Sequence, residues 1–241
     1  MKPYTFRPWH LIVILFLCEV GFAALYYVGT HVGGPKVDHF YDLDQEANLP
    51  AWFSSMQLFS VAAVIAIFGP KALRPLGVPV IVPLIGAAAF LFLSMDEIAQ
   101  VHERIGRELS GTAAPQVRNG RGAWAFVYGV AALPFIFLGI KYLAAIAQGY
   151  PRLVIYGVIG SVSFVAGAIG VELIADQFLR GYAEARELYV LSVLTEELLE
   201  MIGGTLILFG VMHLALPRAQ PVYQLKPKRE TVPSFGRIAG R

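Results

Sequence analysis

The chain has 241 residues, of which 56% are hydrophobic and 15% charged, with a formal net charge of +2 and a mean hydropathy of +0.61. Soluble domains carry far more charge, so this composition calls for a bilayer as solvent and one all-α integral membrane domain built from several apolar spans of about 20 residues. One Cys excludes an internal disulfide and any multi-thiolate metal cluster.

The first apolar segment runs from about Trp9 to Val28. Lys2 and Arg7 precede it as in a signal peptide, but the apolar run passes Ala23 into Leu25-Tyr26-Tyr27-Val28 and so reads as a full span. Cys18 within it reads as inert packing. Glu19 sits near its middle, where an ionised side chain costs at least roughly 2.5–3.5 kcal/mol. It must be protonated, paired or coordinating.

The loop that follows carries His31, Asp38, His39, Asp42, Asp44 and Glu46. Asp42-x-Asp44-x-Glu46 begins like a calcium loop, but Ala47 stands where the Gly belongs and Phe53 where the closing Glu belongs, which excludes an EF-hand. The stretch from Asp44 to Ser55 reads as an ordered entry into a second span, about Trp52 to Phe68. Pro50 takes an early helical position and Trp52 the headgroup level.

A third span, about Val78 to Met95, runs on into Ser94-Met95-Asp96-Glu97-Ile98-Ala99-Gln100-Val101-His102-Glu103. On a continuous helix turning about 100° per residue, Asp96, Gln100, Glu103 and Arg107 share one stripe while His102 lies on its flank. The spacing is not the Glu-x-x-His of soluble di-iron bundles, because Ala99 occupies the position three before His102. His102 joins the stripe only if it lies between two helices.

Trp124 opens a fourth span, about Ala123 to Ala147. The fifth, about Leu153 to Ala175, is rich in Gly157, Gly160, Gly167 and Gly170 and ends on Glu172 and Asp176, one turn apart. The sixth, about Leu188 to Leu216, contains Thr195-Glu196-Glu197-Leu198-Leu199-Glu200-Met201-Ile202-Gly203-Gly204. Its acids repel one another unless a cation or Arg neutralises them, and its glycines admit a neighbouring helix closely. Residues 1–216 thus form a six-helix transmembrane domain, and 217–241 a basic, Pro-rich cytoplasmic tail suited to anionic lipid.

Six spans divide the charge. Lys2, Arg7, Lys71, Arg74, Lys141, Arg152 and the tail's cations share one face with Glu230 as its only acid, and every other acid belongs to the opposite face or to a span. Basic loops stay in the cytoplasm, which places both termini there. Arg104, Arg107, Arg118 and Arg121 on the outer side weaken this bias without reversing it.

Glu46-x-Asn48-Leu49-Pro50-x-Trp52-Phe53-Ser54, Ser94-x-Asp96-Glu97 with His102-Glu103, and Glu196-Glu197-x-x-Glu200-Met201-x-Gly203 occur in that order. In these motifs the chain resembles a group of uncharacterised bacterial multi-pass, six-span membrane proteins. The resemblance implies a location in the bacterial inner membrane and a shared site, and it supplies no activity.

Carboxylates with an imidazole and no thiolate suit hard or borderline divalent cations such as Fe, Mn, Zn or Ca. The candidate ligands are Glu46, Asp96, His102, Glu103, Glu172, Glu196 and Glu200, with Glu19 and Asp176 as further buried charges. The bland alternative is a solvated rim in which the acids oppose Arg104, Arg107, Arg180 and Arg186. The expected function is a metal-binding site near the outer face; a metal-dependent enzyme acting on a lipid or other apolar substrate is the first class such a site suits, and the sequence itself names no reaction. A cation or proton pathway through Glu19, or a non-catalytic subunit of a larger membrane complex, are the alternatives. Expected partners are membrane lipids and a membrane protein or second copy. No phosphate loop, nucleophile elbow or aromatic-basic patch is present, so nucleic acid is not expected.

Overall fold

The computed structural model describes residues 8–32, 37–109, 123–180 and 182–216. Arg118, Arg121 and the basic tail lie outside them. Among the described residues every regular element is helical: α1 (Pro8–Val32), α2 (Leu49–Leu73), α3 (Ile81–Ala99), α4 (Val101–Leu109), α5 (Ala123–Gly149), α6 (Pro151–Val165), α7 (Glu172–Phe178) and α8 (Arg186–Met212), with short 3-10 turns between some of them. Residues Ala166–Val171 form a π-helical stretch that joins α6 to α7 without a break.

Five of these helices are long and apolar enough to cross a membrane: α1, α2 with its 3-10 extension, α3, α5, and α6 through α7. Polarity is arranged for that solvent. Ile14, Leu17, Phe137, Ile140 and Val162 face outward, while Glu19, Gln57, Thr205 and Asp96 are buried. Cys18 is exposed on α1, so it faces the surroundings rather than filling the interior.

Helix α8 is the hub, packed against α6 and the π-helical stretch on one side and against α1 and α2 on the other. Its glycines set these distances. A Cβ at Gly160 would stand 2.6 Å from the Gly203 carbonyl oxygen, and one at Gly203 would stand 2.7 Å from that of Gly160, so the two backbones touch. Helices α2 and α3 form a second close pair, fastened by Ser55 and Ser94. Each hydroxyl donates to the other residue's carbonyl oxygen, at 2.7 and 2.9 Å.

Entry into α2 is fixed locally. Asn48 caps the helix by accepting from the Ala51 N–H at 3.1 Å, and its Nδ2 donates to the carbonyls of Asp42 and Gln45. Pro50 occupies the first turn, where its missing N–H costs nothing. Ala47 adopts φ +57°, the left-handed conformation that a Gly would reach without strain.

The expected continuous helix through Gln100 does not form. Gln100 takes φ +54° and ends α3, donating its N–H to the Asp96 carbonyl, and α4 starts at Val101 in a new direction. The stripe of Asp96, Gln100, Glu103 and Arg107 is therefore broken. This break builds the site.

Candidate functional site

The left-handed turn folds His102 back over the end of α3. Asp96 Oδ1 accepts the His102 backbone N–H at 2.9 Å, and Asp96 Oδ2 lies 3.1 Å from Nδ1 of the ring. On the far side of the ring, Nε2 stands 3.4 Å from Glu46 Oε1. Trp124, from the start of α5, holds the ring from the side with centroids 5.1 Å apart, and its Nε1–H donates weakly to Glu172 Oε1 at 3.4 Å. Four segments distant in sequence thus meet at one imidazole.

The electrostatics follow from that crowding. Burial opposes the charged form of His102, but the hydrogen bond and charge of Asp96, with Glu46 and Glu172 beyond, outweigh it and raise the imidazole to about 9. Burial pushes Glu46 up to about 7; His102 opposes this, and the acids Glu103, Glu97 and Asp96 add to it. Glu46 Oε2 is buried and has no hydrogen-bond partner among the described residues.

Beyond this cluster opens a chamber of about 1030 Å³ between α3, α5, α6 and α8. Its polar end carries Glu46, Asp96, Glu97, His102, Glu172, Glu196, Glu197 and Glu200, and its other end is apolar, from Phe92 and Ala132 down to Ile85 and Ile136. The acids of α8 line the same space as those of α3 and α7, where like charges repel. Gly167 admits α8 here: a Cβ on it would meet the Glu196 carbonyl oxygen at 2.6 Å and Glu200 Cγ at 2.9 Å. The π-helical stretch around Gly167 then sets the direction in which Glu172 leaves the helix.

Of the residues singled out from sequence, Glu46, Asp96, His102, Glu172, Glu196 and Glu200 converge on this chamber. Glu103 reaches its rim but is held by Arg107 at 2.8 Å, half exposed. Asp176 pairs instead with Arg180, whose Nε lies 2.8 Å from Oδ1. Glu19 belongs elsewhere. It is fully buried between α1, α2 and α8, where Oε1 accepts from Gln57 Nε2 at 2.9 Å and from the Thr205 hydroxyl at 2.6 Å, and Oε2 has no partner among the described residues. His31 reaches Glu187 at 3.0 Å, away from the chamber.

Several site residues escaped the sequence reading. Glu97 and Glu197 face the chamber beside their better-marked neighbours, and adjacency to them was the available signal. Trp124 and Tyr128 line the wall, whereas an aromatic at a span's start reads as a headgroup anchor. Arg180 closes the rim, with NH2 3.7 Å from Asp44 and its guanidinium over the Tyr189 ring; the Tyr189 hydroxyl donates to Asp44 at 2.6 Å.

The Asp96–His102 pair has the form of a second-sphere carboxylate orienting a ligating imidazole. With Nδ1 tied to Asp96, Nε2 is the nitrogen free to ligate, and it faces Glu46. Two donors about 2.1 Å from an ion at a tetrahedral angle stand roughly 3.4 Å apart, which matches the 3.4 Å between Nε2 and Glu46 Oε1. A third donor is not in place: among the described residues no group of three His, Cys, Asp or Glu side chains converges closely enough to hold a metal ion.

Residues 11–215 match a domain of unknown function, DUF8692. No curated protein and no solved structure matches the chain.

Proposed function

The chain belongs to the DUF8692 family, and from that premise we propose that its chamber is a divalent-cation site in a membrane enzyme, with His102 and Glu46 as the first two ligands. The observation that carries this reading is the 3.4 Å approach of His102 Nε2 to Glu46 Oε1 while Nδ1 is fixed by Asp96. Glu172, which accepts from Trp124 beside the ring, is the candidate for a third ligand, with Glu196 and Glu200 as further candidates on the chamber wall. A bound cation would relieve the repulsion among the acids and give Glu46 Oε2 the partner it lacks. A cation held by His102 and Glu46 would supply a Lewis acid for a bound water, with Glu197, another lining residue, as the base that would take its proton.

The same reading takes α8 as a sixth span. Its 27 residues are about 40 Å long, and Glu196, Glu197 and Glu200 line the chamber while Glu187 lies in the first turn, so acidity does not prevent it from crossing. Both termini then lie on the basic, cytoplasmic side of a bacterial inner membrane, and the chamber opens toward the outer face.

Metal analysis of detergent-purified protein, after chelation and reloading with Zn, Mn or Fe, tests the site. The expected result is about one ion per chain, falling to background in His102→Ala and in Glu46→Ala. Wild-type protein that retains no metal above background sinks the reading.

A further inference from the structure

The chamber is much larger than an ion requires. Its volume of about 1030 Å³ lies at the upper end of the roughly 300–1,000 Å³ typical of pockets for drug-sized molecules. Depth is equally informative. The run of α3 from Asp96 to Ile85, both lining residues, spans about 16 Å, roughly half of a hydrocarbon core of about 30 Å. The chamber therefore reaches as deep as one leaflet, with its polar groups at the headgroup end.

Its side wall is thin. Helix α5 buries only Ala123 and Trp124 at its start, leans on α4 and α6, and touches α3 lightly. Phe92, Phe135 and Ile136 line the chamber and are nevertheless exposed, so its apolar half is open along α3 and α5. A soluble substrate gains nothing from such an opening, whereas a chain already in the bilayer enters without crossing water.

Charge selects the head. Nine carboxyl groups line the chamber, with Arg180 and His102 as the basic groups among its described lining residues. Carboxyl oxygens are thus its commonest polar partner, which an ammonium can donate to and a phosphate cannot; the Trp124 and Tyr128 rings offer faces to the same cation.

We infer that the chamber takes an amine-headed lipid from the leaflet at its acidic end, with one hydrocarbon chain between α3 and α5 and the ammonium group among the carboxylates. This rests on the chamber being a site, and not on the presence of the metal.

The test uses full-length protein in phosphatidylcholine nanodiscs doped with a diazirine-acyl probe on either a phosphatidylethanolamine or a phosphatidylglycerol head. Photolabelling around Phe92 and Phe135 is expected to be at least fivefold stronger with the ethanolamine head, while labelling around the lipid-facing Leu17 of α1 is equal for both. Ala89→Trp combined with Ala132→Trp fills the apolar half and is expected to cut the α3 and α5 label at least fivefold while leaving the α1 label and bound metal unchanged. Ala132→Leu, a gentler filling, gives an intermediate loss and serves if the double variant does not fold. Equal chamber labelling by the two heads, or undiminished labelling of the filled variants, means annular lipid only and overturns the inference. Head-selective labelling of wild-type protein that holds no metal refutes the cation site alone.

Discussion

The Asp96 carboxylate holds His102 twice, through the backbone N–H at 2.9 Å and through ring Nδ1 at 3.1 Å. It does so because the chain turns left-handed at Gln100 between them. One oxygen fixes where α4 begins and the other fixes how the ring points, so folding and ligand geometry depend on the same side chain.

Asp96→Asn keeps an acceptor for the backbone N–H but removes the negative charge behind the ring. Metal affinity is expected to fall about 10–100-fold, as for other second-sphere carboxylates, with little change in helical content. Isothermal titration with Zn²⁺ alongside circular dichroism checks this. Unchanged affinity would show that Asp96 has a structural role only.

Acidity should act in opposite directions on the empty and the loaded protein. Both Glu46 and His102 are raised, to about 7 and about 9, so in the metal-free protein their protonated forms are favoured by folding. The stability from Glu46 is full below about 4.5 and is lost as pH rises to about 7; that from His102 is full below about 6.5 and is lost by about 9. The melting temperature of metal-free protein should fall between pH 5 and 9, with Glu46→Gln flattening the lower part and His102→Gln the upper. Metal binding requires both groups deprotonated and should strengthen across the same range.

At Gly160 any side chain meets backbone. Gly160→Ala puts a Cβ 2.6 Å from the Gly203 carbonyl oxygen, forcing α6 and α8 apart. A loss of about 1–3 kcal/mol is expected, read as a lower melting temperature in detergent. Gly157→Ala, where nothing lies within 4 Å, is the control and should be neutral or slightly stabilising. Equal melting of the two variants would remove close packing as the reason for Gly160.

Glu19→Leu leaves the donors of Gln57 and Thr205 facing hydrocarbon and is expected to cost about 1–3 kcal/mol. Glu19→Gln retains the oxygen that both donors use and should melt close to wild type. Denaturation in mild detergent separates the two. If both variants unfold alike, the charge of Glu19 matters more than its hydrogen bonds.

Much of the architecture was legible because bilayer solvent writes plainly: long apolar runs, and Pro50 at a helix start. The acids at span ends were equally visible, and Glu46, Asp96, Glu172, Glu196 and Glu200 share one chamber. What the sequence hid was direction. Helical periodicity extrapolates only while the helix continues, and Gln, unlike Gly, carries no signal for a left-handed residue. With Gln100 read as helical, His102 sits on a flank; with it left-handed, His102 faces Asp96. The π-helical stretch before Glu172, in which Gly167 packs against α8, likewise leaves no mark on the 3.6-residue period. The place of Arg180 has no local sign either, because its partners Asp44 and Tyr189 lie far from it in the chain or on another helix.

That arginine has a mechanical consequence. Its guanidinium joins the loop that carries Glu46, the end of the helix that carries Glu172, and the start of α8. One side chain thus ties three separate segments of the chamber's rim, and replacing Arg180 removes its contacts to all three at once.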